Sequence, residues 1–490
     1  MKINSLRILF VSSEAYPLIK TGGLADVSGS LPAALRELGA DIRILIPGYP
    51  AVLQNLINTQ PLATMSGLPY IESATLLLGE MPDTKVPVIA IQCEALYERD
   101  GGPYVDSHGK DWDDNPLRFG ILSLVAAQLS CEDSPVSDWI PDIVHCNDWQ
   151  AGLTPAYLRF MDQVRAKSIF SIHNMAFQGT YSAEWVSKLQ LPAESYQMHG
   201  LEYYGRMSFL KAGAYYADAI ATVSPTYALE MQTEAYGFGM QGLIASRSHE
   251  VHGILNGIET HEWNPAADPH IAKPYDDKNL VGKKHVKQAL QTQLGLTVND
   301  TAPLLGVVSR LTHQKGLDML LEIAGPLLEK GCQLAVLGNG ERELENGFKS
   351  LAVRYPQKVS AVIGYNEPLS HKIMAGVDMF VMPSRFEPCG LNQMYGMRYG
   401  TPPIVTSTGG LADSVTDTNT QNLRHNTATG FVLKSPTAHE LLNTIEHALT
   451  YYADVKTWKR IQRNGMRRDL SWKESAGKYM ELYSQTLVKK

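Results

Sequence analysis

The chain has 490 residues, of which 44% are hydrophobic and 19% charged, and this ordinary globular composition excludes disordered, collagen-like and coiled-coil proteins. The formal net charge of −7, from 43 basic and 50 acidic side chains, and the lack of a long basic run argue against nucleic-acid or anionic-membrane partners. At roughly 100–200 residues per domain, the length predicts two to four domains, and we expect two large ones.

Cysteine usage and apolar run lengths indicate a cytoplasmic protein. The five cysteines are widely spaced, odd in number and contain no CxxC pair, which argues against a disulfide framework and a structural zinc site. Long apolar runs such as 121–129 fall short of the ~20 residues that cross a bilayer. The run at 8–11 is too short for the apolar core of a secretion signal.

Short apolar runs alternate with stretches of helical period along the chain, which indicates βαβ units. The strands are continuously apolar, so we expect parallel sheets covered on both faces. The predicted fold is therefore α/β with two doubly wound domains. Strands are predicted at 7–12, 41–46, 86–91, 143–147, 168–172, 219–223, 304–309, 333–337, 359–363, 379–382 and 403–406, and helices at 29–38, 117–129, 317–328 and 440–451.

A domain boundary is predicted in the polar, proline-containing segment at 251–300, before a new strand-first unit begins. The sequence TGGLAD occurs twice, at 21–26 and at 408–413. Because each copy lies between an apolar run and a helix-like stretch, the repeat indicates two related halves facing one cleft.

The first motif is KTGGLADV at 20–27. Two glycines before a helix allow backbone N–H groups to approach a ligand closely, and the helix start together with Lys20 favours a phosphate. A tight turn with a solvated lysine is the structural alternative, and the repeat favours the ligand site.

The second motif, at 309–316, follows a predicted strand, and ligands of open α/β sheets bind beyond the carboxyl ends of the strands. Arg310 and Lys315 could clamp a diphosphate and stabilise the charge on a departing nucleotide. By itself, such a pair of cations is more typical of a solvated face.

The third motif, PSRFEPCGL at 383–391, has two prolines and a glycine, which indicates a rigid loop that holds Glu387. Glu387 could bind sugar hydroxyls or favour positive charge at a reacting carbon. Cys389 is predicted to be a packed side chain, because no base partner is evident for a nucleophile.

The fourth motif comprises two histidine-containing strand ends, 144–150 and 171–174. Its histidines have no standard metal-ligand spacing, and HExxH, GxSxG and P-loop motifs are missing from the sequence. The GNG at 338–340 does not complete GxGxxG, so a dehydrogenase is disfavoured.

Together these motifs resemble the bacterial glycogen synthase and plant starch synthase family, in the family's order and over nearly the whole chain. The segments that carry the resemblance are 20–27, 145–153, 173–174, 256–258, 310–316, 364–365, 384–391 and 408–413. The family implies a glycosyltransferase-B fold, in which two Rossmann-like domains face a deep cleft. The implied domains are 1–252 and 253–470, with a C-terminal helix in 471–490 that returns to the N-terminal domain.

The resemblance implies retaining transfer of glucose from ADP-glucose to the non-reducing 4-OH of an α-1,4-glucan, without a metal or other cofactor. Arg310 and Lys315 would hold the diphosphate, and Glu387 would contact the donor glucose. His173 would lie by the glucose 6-OH and the anomeric centre, and Asp148 near the reacting or acceptor side. These five residues form the catalytic set.

The resemblance also implies a substrate-binding set. Lys20, Gly22 and Gly23 would reach the donor, Asn256 would bind it from the hinge, and Tyr365 would stack on adenine. Gly409 and Gly410 would offer N–H groups to phosphates. The remaining members of the set are Asp26, Cys389, Gly390 and Thr408.

Several points stay open at this stage. Asn147 stands where the family commonly has His, and Tyr395 occupies the position of a second glutamate found in many retaining relatives but generally lacking in the synthases.

With no evident nucleophile, we expect a same-face reaction in a site completed when the halves close. The alternatives are a UDP-glucose or small-acceptor transferase, a pyridoxal-phosphate phosphorylase and a non-catalytic nucleotide-sugar sensor.

Overall fold

The computed structural model describes residues 5–488, and the chain divides into two compact units. The first unit runs to Gly257 and takes up the chain again at Trp472, and the second covers Ile258–Ser471. Among the helices of residues 5–488, none combines the length and apolar character needed to span a bilayer.

A large sheet forms the centre of the first unit. Its central strands lose almost all solvent contact: every residue of β6 (143–147) is buried, and so is every residue of β1 (7–11) except Arg7. The strands described in this unit are β1 (Arg7–Val11), β2 (Asp41–Pro47), β3 (Ile57–Leu68), β4 (Ile71–Glu80), β5 (Pro87–Gln92), β6 (Ile143–Asn147), β7 (Lys167–Ile172), β8 (Thr180–Ser182), β9 (Glu202–Tyr203), β10 (Arg206–Ser208), β11 (Ala219–Thr222) and β12 (Val251–Gly253).

Nine of these strands pair in the order β12-β11-β7-β6-β1-β2-β5-β4-β3. The pairs from β12 to β5 are parallel, with Ile8 opposite both Ile42 and Ile143, and β4 and β3 add an antiparallel edge. A small antiparallel sheet, β8-β10-β9, lies apart.

Helices connect the strands of the first unit. Ser208 and Ser224 cap two of them, because their hydroxyls accept N–H groups of the first helical turn. The helices are α1 (Gly23–Glu37), α2 (Pro50–Asn55), α3 (Glu94–Tyr97), α4 (Asn115–Leu129), α5 (Thr154–Phe160), α6 (Trp185–Lys188), α7 (Phe209–Tyr216), α8 (Pro225–Glu230) and α9 (Gln241–Ser246).

The second unit has a fully parallel sheet covered by helices. Its strands are β13 (Leu304–Val308), β14 (Gln333–Gly338), β15 (Val359–Ile363), β16 (Met379–Met382), β17 (Pro403–Thr406) and β18 (Phe431–Leu433), in the order β15-β14-β13-β16-β17-β18. Its helices are α10 (Val281–Gln293), α11 (Leu317–Glu329), α12 (Arg342–Arg354), α13 (Glu367–Gly376), α14 (Asn392–Arg398), α15 (Gly409–Ser414), α16 (Thr420–His425), α17 (Ala438–Ala453) and α18 (Val455–Arg467).

The last helix, α19 (Trp472–Val488), packs against α1 and β7 of the first unit. Its Tyr483 hydroxyl lies 2.8 Å from Nδ1 of the fully buried His145, whose Nε2 is 2.6 Å from the Ser171 hydroxyl. Burial is the main cause that lowers the pKa of His145 to about 3, so the ring is neutral and both its nitrogens are paired.

The predicted fold class is confirmed, and each of the eleven predicted strands is present within one or two residues. The antiparallel hairpin β3–β4 was not predicted, because polar residues interrupt the apolar ones in both strands and much of β3 is exposed. Helix α1 begins at Gly23, six residues before its predicted start.

The two TGGLAD copies do not occupy corresponding positions. The first copy is separated by a loop from β1, which is the first strand in the chain and lies at the centre of its sheet. The second copy directly follows β17, the fifth strand of the other unit in chain order. The repeat therefore does not mark equivalent points of the two units, although both units share the doubly wound design.

We predict that Tyr483→Phe lowers the stability of the first unit by about 1–3 kcal/mol, because it leaves the buried Nδ1 of His145 without a partner. The urea midpoint of the full chain measures this loss. Tyr70→Phe is the matched control, since Tyr70 is 70% exposed. Equal midpoints for the Tyr483 variant and the unmodified chain would contradict the prediction.

Candidate functional site

Three loops of the second unit meet at one edge of its sheet. Strands β13, β16 and β17 are neighbours and parallel, so their carboxyl ends lie side by side, where open α/β sheets bind ligands. The segments that follow them, 309–316, 383–391 and 407–410, carry most of the residues predicted for this unit.

The centre of this edge is an ion pair between Lys315 and Glu387. The Lys315 ammonium donates to Glu387 Oε2 at 2.5 Å, and the Ser384 hydroxyl donates to the same oxygen at 3.0 Å. The side chains of Lys315 and Glu387 are 14% and 8% exposed. An ammonium has three donors, so Lys315 keeps capacity for a second anion while Glu387 fixes its position.

The Lys315 and Glu387 loops are held together by close backbone packing. Gly316 has φ +69°, and a Cβ there would lie 2.1 Å from the Pro383 carbonyl oxygen, so only glycine fits. Next to it, Arg385 donates two hydrogen bonds to the Asp318 carboxylate, at 2.7 and 2.6 Å. These contacts pre-organise the ion pair.

Gly409 and Gly410 support the Glu387 loop from the third segment. A Cβ on Gly409 would lie 2.0 Å from the Glu387 carbonyl oxygen, and one on Gly410 2.2 Å from that of Cys389. The Gly410 N–H donates to the carbonyls of Glu387 and Pro388 at 3.2 and 3.0 Å. The expectation that Gly410 offers this group to a phosphate is thus not what the structure shows, because the loop already uses it.

Arg310 and Tyr365 are the accessible members of the second unit's predicted set. Arg310 is exposed, and its guanidinium donates no hydrogen bond to any residue within 5–488. Tyr365 follows β15, is 76% exposed and donates its hydroxyl to Glu367. Its ring face is therefore accessible to a flat partner, as the predicted stacking on adenine requires.

Three further predicted residues, Cys389, Gly390 and Thr408, shape the loops rather than present free polar groups. Cys389 and Thr408 are buried, in agreement with the prediction of a packed cysteine. Gly390 has φ +69°, and its carbonyl accepts a hydrogen bond from the Gln393 amide at 2.9 Å.

In the first unit, Asp148 lies at the carboxyl end of β6 in a strained conformation. Its φ of 59° and ψ of −176° belong to a region that is almost restricted to glycine and costs about 1–3 kcal/mol. Its N–H donates to the Ser171 carbonyl at 2.8 Å. Strain of this kind concentrates at functional sites, where the surrounding fold enforces it.

The Asp148 carboxyl is buried, and its Oδ1 has no hydrogen-bond partner among residues 5–488. Desolvation raises the pKa of Asp148 to about 7, against the opposing effect of backbone N–H groups of His173, Asn174 and Trp149. The negative charge of Glu14 adds to the rise. This carboxyl can therefore hold or release a proton near neutral pH.

His173, at the end of the adjacent β7, is neutral, because desolvation lowers its pKa to about 4. Its Nε2 lies 3.1 Å from Asn147 Oδ1, and the Asn147 amide donates to the carbonyls of Val11 and His145. Since those donors fix the amide, His173 carries its proton on Nε2 and has Nδ1 as the acceptor. Asn147 thus orients His173.

The Lys20 motif is arranged around an internal carboxylate. Glu14, 3% exposed, accepts the N–H groups of Thr21 and Gly22 at 2.5 and 3.2 Å and the Tyr104 hydroxyl at 2.5 Å. Lys20 forms an ion pair with Asp26 at 2.7 Å. Asp26 therefore positions Lys20, and Gly22 has its N–H directed at Glu14.

Gly23 opens α1, and neither it nor Gly22 has a heavy atom within 4 Å of the place of a Cβ. Open space at these two glycines leaves room for a ligand, in line with the motif's predicted role. Asn256 is buried, and its Oδ1 has no hydrogen-bond partner among the described residues, so it can accept from a bound hydroxyl.

Sequence reasoning missed Glu14 and Tyr104. Glu14 follows the apolar run of β1 by three residues, and this strand-end position was the available signal. Tyr104 lies in an irregular segment and contacts Ser13 and Glu14 from about ninety positions away, so no local pattern could identify it.

Comparison with known proteins identifies the family. Residues 7–246 match the starch synthase catalytic domain, and 294–468 match the glycosyl transferases group 1. The glycogen synthases of Nitrosomonas eutropha and Dechloromonas aromatica are 51% and 50% identical, over 99% of this chain and 97% and 99% of theirs.

Solved structures agree. The catalytic domain of starch synthase IV from Arabidopsis thaliana, bound to ADP and acarbose, superposes with a TM-score of 0.90 at 31% identity, over 99% of this chain and 100% of that one. Sucrose-phosphate synthase from Thermosynechococcus elongatus shares the fold, with a TM-score of 0.59 at 18% identity and 98% of each chain covered. The chain belongs to the family of bacterial glycogen synthases and plant starch synthases, and it is a glycosyltransferase.

Proposed function

We propose that this glycosyltransferase moves glucose from ADP-glucose to the non-reducing 4-OH of an α-1,4-glucan, with retention at the anomeric carbon and release of ADP. The observation that carries the proposal is the buried Lys315–Glu387 pair beside the accessible Arg310. This arrangement suits a ligand that joins a dianionic leaving group to a sugar.

Arg310 and Lys315 act on the leaving group. When the bond between the anomeric carbon and phosphate breaks, negative charge grows on the diphosphate and positive charge on the sugar ring. The planar guanidinium of Arg310 can bind two phosphate oxygens at once. Lys315 contributes a compact positive charge that Glu387 holds in place. Lys315 is held by Glu387 before the reaction, so this cation needs little reorganisation as the charge develops.

Glu387, His173 and Asp148 act on the sugars. Glu387 places a carboxylate next to the leaving-group cation, where it favours positive charge at the anomeric carbon. Neutral His173 can accept from a hydroxyl through Nδ1 without adding a cation near that carbon. Asp148, with a pKa of about 7, can bind an acceptor hydroxyl.

Retention is proposed to occur on one face of the sugar, without a glucosyl-enzyme. The C1–O bond to phosphate breaks as the glucan O4 forms its bond to C1, and the 4-OH proton passes to the departing phosphate oxygen. Glu387 is already bound by Lys315 and Ser384, which disfavours it as a nucleophile. No metal is required for these steps.

The donor and acceptor assignments are supported by two further points. The relatives at about 50% identity are named glycogen synthase, and the superposed starch synthase IV binds ADP and the oligosaccharide analogue acarbose. The accessible Tyr365 ring supplies a surface for adenine. A UDP-glucose donor is the alternative that a direct comparison decides.

We predict that the purified chain incorporates labelled glucose into glycogen from ADP-glucose much faster than from UDP-glucose, and that excess EDTA leaves the initial rate unchanged. Lys315→Ala and Glu387→Ala should each lower kcat by ~10²–10³-fold, the range for losing one fixed electrostatic group. ADP release and radiolabel incorporation are measured together.

Lys349→Ala is the matched control for this assay, because it removes a half-exposed lysine from α12 of the same unit. Wild-type rates for Lys315→Ala, or faster incorporation from UDP-glucose, would contradict the proposal. If ADP-glucose binds but neither donor is used, the chain acts as a sensor or on another acceptor.

We also predict that rapid quenching and digestion during turnover yield no peptide carrying glucose as an ester, because the reaction passes through no covalent intermediate. Mass spectrometry of the peptides that contain Asp148 and Glu387 is the measurement. A glucosyl ester on either residue would replace the same-face mechanism by double displacement.

Asp148→Asn should stabilise the protein above neutral pH while it lowers activity. The carboxyl has a pKa of about 7 when folded, against its ordinary value of 3.8, so the folded chain binds more protons between these pH values and loses stability as pH rises. The variant avoids this loss, and asparagine tolerates positive φ better.

The stability gain should grow from pH 4 to pH 7 and then remain constant, at about 2–4 kcal/mol for a shift of this size. Urea unfolding at pH 5, 7 and 9 measures it. Asp113→Asn, at a side chain 88% exposed, is the control. A gain independent of pH would show that burial of the charge is not its cause.

A further inference from the structure

A cluster of potential metal ligands lies in the second unit, formed by residues that the proposed transfer does not use. Glu262 precedes α10 in the chain, and Glu367 and His371 are four residues apart on α13, which places them on one helix face. One ligand atom from each of the three lies within 4.8 Å of the others.

The imidazole of His371 is buried with one nitrogen unpaired. The residue is 1% exposed, and its Nδ1 is 2.8 Å from Asp268 Oδ2. Nε2 has no hydrogen-bond partner among residues 5–488, and Glu367 Oε1 lies 3.9 Å from it, too far for a hydrogen bond. A buried polar atom without a hydrogen-bond partner destabilises the fold unless something binds it.

The surroundings of His371 fix which nitrogen carries the proton. Asp268 accepts the Tyr399 hydroxyl at 2.5 Å and the His270 N–H at 2.8 Å, so its carboxylate is held in place to accept from Nδ1. The proton therefore resides on Nδ1, and Nε2 presents a lone pair towards the two glutamates. A carboxylate behind a histidine is the usual second partner of a metal-binding imidazole.

The ring is also held rigid by stacking. Trp263 lies parallel to His371, with ring centroids 3.8 Å apart and planes at 13°, and its other face stacks on Tyr395 at 3.9 Å. Tyr365 donates to Oε2 of Glu367, which leaves Oε1 directed at the cluster. Rigid placement lowers the cost of assembling a metal site.

We propose that Glu262, Glu367 and His371 bind one divalent transition-metal ion, for which Zn²⁺ is the best match, with water in the remaining position. One imidazole and two carboxylates form a donor set that zinc accepts at about 2.0–2.2 Å, and ligand atoms around such an ion lie about 3.4 Å apart. The 3.9 Å between Nε2 and Oε1 therefore needs to contract by about half an ångström, and no separation in the cluster, at most 4.8 Å, by more than about 1.4 Å.

The ion would link the segment that precedes α10, through Glu262, to helix α13. Its role is structural within the second unit and lies beyond the proposed transfer reaction. This position also explains how the unpaired Nε2 of His371 is satisfied.

The test uses the full chain, stripped with a chelator and dialysed, and titrated with Zn²⁺ by calorimetry and by competition with a chromophoric indicator. We predict one Zn²⁺ per chain, and visible d–d absorption when Co²⁺ replaces it. Zn²⁺ should also raise the unfolding temperature. Asp268→Asn should weaken binding by about 10–100-fold, the range for loss of a partner behind a ligand.

The double variant Glu262→Gln and Glu367→Gln should abolish both the stoichiometric binding and the thermal shift. It leaves the Nδ1 bond of His371 in place, so it is expected to fold where a His371 substitution could fail. Glu343→Gln, at an exposed position of α12, is the control. Absence of stoichiometric binding, or binding that persists in the double variant, would overturn the proposal.

Discussion

The candidate site of the second unit depends on the ion pair between Lys315 and Glu387. Removing two charges from water is costly, and their attraction offsets the cost only when geometry and further hydrogen bonds are good. The Ser384 hydroxyl supplies one such bond, and close packing at Gly316 and Gly409 holds the two loops at the required spacing. A side chain at either glycine would separate the loops and hence the charges.

In the first unit, burial without an ion pair sets the charge state of the candidate groups. Its polar side chains are desolvated without a compensating charge, so His173 is neutral and the pKa of Asp148 rises to about 7. Groups suited to holding a proton therefore lie in the first unit, and the ion-paired Lys315 lies in the second. A reaction that separates a positive sugar from a negative diphosphate needs both kinds of environment, and each is produced by the local fold.

The sequence predicted correctly those features that depend on residues close together in the chain. Continuous apolar runs located the eleven strands, and loops directly after them contained Arg310, Lys315 and Glu387. It failed where contacts join distant segments. Glu14 binds the Gly22 loop, and the pairing of His371 with Asp268 joins positions 103 residues apart. The hairpin β3–β4 was missed because it joins the sheet through the pairing of β4 with β5, and not through an apolar run that the sequence would reveal.

The repeated TGGLAD hexapeptide shows how environment sets the role of identical residues. In the first copy, two backbone N–H groups, those of Thr21 and Gly22, bind the Glu14 carboxylate. In the second, the Gly410 N–H binds carbonyls of the Glu387 loop. A phosphate approaching the first copy would meet the negative charge of Glu14, which weakens the attraction of the helix start. For the proposed reaction, we therefore expect the diphosphate to be recognised mainly by Arg310 and Lys315, while Gly409 and Gly410 let neighbouring segments approach.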